Sequence, residues 1–153
     1  MDLTDVAVER TYRLRSAVLG WASPATRIDS GGAGHLALVD GDTVVAAVSH
    51  VTWPCPAEPE VPARYFWAMA VDTPYQGRGY GRRLLAAVAD RARACGERVV
   101  WADARESAVA FYTACGARVA GEPYVDDGTG LLVRHVVFTL GVARTVSDGS
   151  SSP

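Results

Sequence analysis

The segment "RYFWAMAVDTPYQGRGYGRRLLAAVADRARAC", residues 64–95, restricts the fold more than any other part of the chain. Arg64 to Val71 is an aromatic and apolar run suited to a strand. It leads straight into Gly77, Gly79 and Gly81, which alternate with Arg78 and Tyr80. From Tyr80 to Cys95 the residues Leu84, Leu85, Val88, Ala89 and Ala92 form one helical stripe, and Gly96 follows in the position of a C-terminal cap. Strand, glycine loop and helix in that order set a helix N-terminus beside bare backbone. Such an end leaves N–H groups unpaired and carries partial positive charge, so a phosphate can approach the main chain. Arg78, Arg82 and Arg83 add cations there, and guanidinium forks suit phosphate oxygens.

Asp5 to Leu19 reads as a helix, because Val8, Tyr12 and Leu19, with Leu14 and Val18 beside them, recur at roughly helical spacing before Gly20. "GHLALVDGDTVVAAVSHV" is two β-rich runs around Asp40-Gly41-Asp42, a hairpin signal that makes the first two strands antiparallel. Pro54, Pro56, Pro59 and Pro62 remove donors and fix φ, so Trp53 to Ala63 is a loop. "RVVWADA" is a further strand. Glu106 to Cys115 is a second amphipathic helix, with Ala108, Phe111, Tyr112 and Cys115 at i, i+3, i+4 and i+7. "LLVRHVVFTL" is the last strand, behind an Asp126-Asp127-Gly128 turn. The predicted class is α/β (α+β): a mixed central sheet, an N-terminal antiparallel hairpin, then β-loop-α-β-α-β, with helices on both faces. One domain over residues 1–141 is expected, followed by a small polar tail, 142–153, expected to be disordered.

A chain of 153 residues is long enough for one core, burying roughly 70% of the surface its unfolded form exposes. Lys and Arg number 15 against 17 Asp and Glu, a net charge of −2 that argues against broad nucleic-acid binding. Cys55, Cys95 and Cys115 show neither CxxC spacing nor the density of a disulfide framework, which fits a reducing cytoplasm. The N-terminus carries acids where a signal peptide carries bases, and no apolar run reaches about 18 residues, so neither export nor a membrane is expected. His35, His50 and His135 have no ligand spacing with the cysteines, and no metal is expected.

Three phosphate-binding schemes compete for the glycine loop. A P-loop requires Gly-Lys-Ser/Thr, which is absent, and a dinucleotide fingerprint would read GxGxxG in an early βαβ unit with an acid about 20 residues on. The third scheme is a resemblance. Gln76-Gly77-Arg78-Gly79-Tyr80-Gly81 resembles the Q/R-x-x-G-x-G/A pyrophosphate loop of the GNAT superfamily of N-acetyltransferases, and "FWAMAV" is similar to the strand that precedes it. Some thirty residues later "AVAFYTACGA" resembles the family helix that ends in Phe/Leu-Tyr, three residues and Gly-Phe. "YRLRSAVL" and "GHLALVDGDTVVAAVS" look like its first helix and opening hairpin, most similar to small bacterial members of the ElaA-like type. Ala117 stands where the usual phenylalanine would be, and Arg105 where many members have an asparagine.

The resemblance implies an acetyl-CoA-dependent N-acetyltransferase acting on a small-molecule amine or an exposed amino group, with acetyl-CoA as co-substrate. Met69, Ala70 and Val71 are implied to hold the pantetheine arm through the main chain, with "RVVWADA" splaying away to admit it. Gln76, Gly77, Arg78, Gly79, Tyr80, Gly81 and Arg82 are implied to hold the pyrophosphate, and Tyr112 to act as general acid at the thioester sulfur. Read from its stripe alone, Tyr112 could equally be a core tyrosine. For the general base, "RYFWAMAV" offers no carboxylate; His50 is a candidate, though a half-exposed strand histidine explains it as well. Tyr65, Trp67, Trp53, Tyr124 and Asp126 could line a pocket for a cationic amine. A catalytically inactive acyl-CoA-binding or sensor module is the alternative function, and an exposed strand edge could pair two copies into a homodimer.

Overall fold

The computed structural model describes residues 1–141. The strands are β1 (Asp2–Asp5), β2 (Gly34–Asp40), β3 (Thr43–Thr52), β4 (Ala63–Val71), β5 (Val99–Arg105), β6 (Arg118–Val125) and β7 (Leu132–Thr139). They form one sheet in the order β1-β2-β3-β4-β5-β7-β6. Only β4 and β5 run parallel; the other pairs are antiparallel. The three α-helices are α1 (Tyr12–Ala17), α2 (Tyr80–Ala94) and α3 (Glu106–Ala114). This is the expected mixed α/β fold. The expected tail, 142–153, lies outside the described residues.

Alternation along β2 divides the core between the two faces of the sheet. Leu36 and Leu38 join Phe66, Val100 and Ala102 under α2 and α3, whose Leu84, Leu85, Val88, Ala92 and Tyr112 complete the larger cluster. Ala37 and Val39 point the other way, with Ala47 and Ala70, and are covered by Leu14 of α1. On the same face as α1, Trp101 and Val99 of β5 pack with Cys55, Ala63, Ala120 and Val137. None of the three helices is long and apolar enough to cross a membrane.

Three elements differ from expectation. The first helix is shorter than Asp5–Leu19: Val8–Thr11 is a 3-10 turn and Asp2–Asp5 is an edge strand paired with β2. An additional strand, β6, precedes the last one and pairs antiparallel with it. Its pattern was hidden by Gly121 and Pro123, which lie where the register shifts between Ala120 and Tyr124. The proline-rich segment is a loop as expected, with only an isolated bridge between Cys55 and Glu58.

Candidate active site

The two parallel strands at the centre of the sheet part company. Ala63, Arg64 and Tyr65 of β4 pair with Val99, Val100 and Trp101 of β5, and there the ladder stops. β5 continues against β7 as far as Arg105, while β4 continues against β3 as far as Val71. From Phe66 to Val71 the β5-facing edge of β4 therefore has no strand partner. A register shift lies between Ala47 and Ser49 of β3, opposite Ala68, whose φ of 55° is the only positive φ outside glycine among the described residues. Strained backbone of this kind persists where the surroundings fix it, and it gathers at functional sites. Met69, Ala70 and Val71 stand on the open stretch.

The glycine loop closes beneath that opening. Asp72 N donates to Val45 O at 2.8 Å, and the Asp72 carboxylate accepts from Thr73 N at 3.1 Å to start a 3-10 turn, Thr73–Tyr75. Gln76 Nε2 donates to Val71 O at 2.9 Å, which ties the loop to the end of β4. Gly77 and Gly79 take φ of 76° and 83°, a region open to glycine at little cost. Gly79 caps α2 without a side-chain hydrogen bond, and Arg83 N is the first amide to bond back, to Gly79 O at 3.1 Å. Among the described residues, the amides from Gly77 to Arg82 have no acceptor, which is the arrangement an anion needs. Gly81 acts through packing instead, since a Cβ there would meet Phe111 Cζ at 3.0 Å, and its bareness brings α2 and α3 together. Arg78 lies over the Tyr75 ring at 5.5 Å, and among the described residues Arg78, Arg82 and Arg83 form no ion pair. All three are exposed cations.

Tyr112 lies on the α2 and α3 side of the opening. It is buried against Phe66, Phe111 and Phe138, with ring centroids at 5.6, 5.3 and 6.4 Å. Among the described residues its hydroxyl has no hydrogen-bond partner. Burial pushes the phenol up to about 12, with Cys115 adding to the effect, so the proton stays on the oxygen throughout the neutral range. The residue belongs to the core and at the same time carries an uncommitted donor.

A second space opens on the α1 side. A cavity of about 450 Å³ is lined by Tyr65, Trp101, Asp103, Val51, Trp53, Ile28 and Arg27. Among the described residues, Asp103 is its only carboxylate. Its Oδ2 accepts from Tyr65 Oη at 3.2 Å and its Oδ1 accepts from Tyr124 Oη. His135, the cross-strand partner of Asp103, brings Nδ1 to 2.8 Å from the same Oδ1 without making a hydrogen bond. Burial, reinforced by the Asp103 charge and hydrogen bond, pushes both phenols above their ordinary range. Both phenols remain donors.

Other expected participants are placed elsewhere. His50 is buried rather than half-exposed: Arg64 Nη1 donates to its Nδ1 at 3.0 Å, and burial together with the Arg64 charge lowers it to about 4. Asp126 spends its carboxylate on its own turn, accepting from Thr129 N and Oγ1 at 3.0 and 2.8 Å. Trp67 stacks on Tyr65 and donates to Asp29 Oδ1 at 3.1 Å. Arg105 donates to Leu19 O at 3.0 Å and so ties down the turn that follows α1. Sequence reasoning missed Asp103 and passed over His135; their juxtaposition depends on the β5–β7 register, of which neither strand carries a local signal.

Residues 7–117 match the family model described as "Acetyltransferase (GNAT) family". No curated protein sequence matches the chain. Among solved structures, a Lactobacillus plantarum protein assigned to the N-acetyltransferases superposes with a TM-score of 0.76 at 22% identity, covering 92% of this chain and 98% of that one. Escherichia coli ElaA gives 0.68 at 17% identity over 90% and 98% of the two chains. An aminoglycoside 6'-N-acetyltransferase complexed with coenzyme A gives 0.70 at 12% identity over 91% and 97%. At these identities the structural likenesses establish the fold.

Proposed function

The chain belongs to the acetyltransferase (GNAT) family, and on that premise we propose that it moves an acetyl group from acetyl-CoA to a primary amine by direct attack. The observation that carries this reading is the divergence of β4 from β5 immediately above a helix N-terminus whose amides have no acceptor. Unpaired amides from Gly77 to Arg82, with the Arg78 and Arg82 guanidiniums, supply what a pyrophosphate requires. The free edge of β4 at Met69, Ala70 and Val71 offers main-chain groups to the amide-bearing pantetheine arm, and a main-chain N–H there can stabilise the oxyanion.

The amine nitrogen attacks the thioester carbonyl carbon; a C–N bond forms and the C–S bond breaks, its electron pair leaving with sulfur. Tyr112 donates its proton to the departing thiolate and recovers one from solvent, while the proton lost by nitrogen is released. A phenol at about 12 is a weak acid beside a free thiol near 8.5, but burial raises a thiolate at the same place as well, which narrows the gap. The test is release of CoA thiol from acetyl-CoA by the purified chain, with and without a panel of primary amines. Amine-dependent release supports the reading. Binding of acetyl-CoA with no release for any amine would leave an acyl-CoA-binding module in place of an enzyme.

A further inference from the structure

We propose that the cavity on the α1 side takes a compact primary ammonium ion with a flat apolar body, held by Asp103. This rests on the amine-acetylating reading above and names the class of acceptor. Asp103 lines the cavity, and its side chain is 22% exposed. Carboxylate oxygens offer about four lone-pair directions. Tyr65 and Tyr124 occupy two, which leaves directions for an incoming N–H. The two phenols also fix the carboxylate in place before the ligand arrives, so little ordering is left for binding to impose.

The walls define the rest of the ligand. Tyr65 and Trp101 lie with ring centroids 4.6 Å apart, and Trp53, 58% exposed, stands at the entrance. Aromatic faces around one carboxylate attract a cation and accept a flat apolar body. A volume of about 450 Å³ suits a small molecule rather than a folded partner. Arg27 sets a limit: it is exposed, lines the cavity and, among the described residues, pairs with no carboxylate. A second ammonium on the ligand would meet that guanidinium, so the site selects monoamines over diamines. Among the described residues, the cavity contains no other carboxylate to hold the ammonium.

Fluorescence of Trp53 and Trp101 reads the ligand directly and needs no acetyl-CoA. Titration with 2-phenylethylamine is expected to give a saturable change. Both 2-phenylethanol, the neutral analogue, and 1,5-diaminopentane are expected to bind at least about tenfold more weakly. Asp103→Asn is expected to weaken the amine by between about tenfold and a hundredfold while leaving the acetyl-CoA-induced rise in melting temperature unchanged. Equal affinity for the amine in parent and variant, or for the alcohol or the diamine and the amine in the parent, would overturn the proposal. The alcohol comparison decides alone if the variant does not fold. Loss of the acetyl-CoA response in the parent counts against the transfer reading instead, so the two failures are distinguishable.

Discussion

Tyr112 combines a core position with an uncommitted hydroxyl, and that combination separates the two readings of its sequence. A purely structural tyrosine would lose little when its unpartnered hydroxyl is removed. On the proposed mechanism Tyr112→Phe lowers kcat by about a hundredfold while the melting temperature and acetyl-CoA affinity stay near those of the parent, measured by thiol release and thermal unfolding. His50 governs a different observable. Its pKa in the fold is about 4, below the unfolded value near 6.5, so the unfolded chain binds a proton first as the pH falls. The stability associated with neutral His50 is whole above pH 6.5 and is lost on descent to about pH 4, by up to about 3 kcal/mol. His50→Gln should flatten that stretch of a urea-midpoint profile. Tyr112 was legible in sequence because its helical stripe and the motif around it are local. Asp103 and His135 were not, because they become neighbours only through the pairing of β5 with β7.

Among the elements, β4 carries the most consequence per residue. Its aromatic run and the glycines after it are visible in the sequence, as are the α2 stripe and the Asp-Gly hairpin of β2 and β3. What the sequence did not mark is where β4 leaves β5, because separation depends on the bulge opposite Ala68 and on β7 capturing β5. β1 escaped notice because all four of its residues are exposed and carry no alternation. The left-handed backbone at Ala68 costs about 1–2 kcal/mol relative to glycine, offset by about 0.4–1 kcal/mol of extra unfolded-state entropy when glycine replaces it. Ala68→Gly should therefore raise the unfolding free energy by roughly 0.5–1 kcal/mol in a denaturant titration. A valine at the same position should lower it, since a β-branched side chain tolerates that φ poorly.

Across the protein as a whole, the sheet separates two half-sites. The glycine loop and Tyr112 lie on the α2 and α3 face and the aromatic cavity on the α1 face, with the gap between β4 and β5 joining them. The α1 face is held by a buried network: Arg15, 1% exposed, forms a two-pronged pair with Asp29 at 2.7 and 2.9 Å and donates to Ser49 Oγ at 2.9 Å. Burial pushes the Asp29 carboxyl up, but hydrogen bonds from Arg15 and Thr26 outweigh it and hold it at about 2. Asp29→Ala strands the Arg15 charge in the core and should cost about 3–5 kcal/mol, a loss of roughly 10 °C in melting temperature.

The proposed acetyl transfer depends on the glycine loop and the open strand edge binding acetyl-CoA, and thermal unfolding with acetyl-CoA, NAD and ATP in parallel decides whether they do. Ligand at a hundred times its Kd adds about 2.7 kcal/mol, or roughly 5–10 °C for a domain of this length. That rise is expected with acetyl-CoA alone, and its loss is expected in Gly79→Asp, where a carboxylate would be set at the phosphates. No rise with acetyl-CoA, or an equal rise with NAD or ATP, would refute acetyl-CoA as the ligand of this loop.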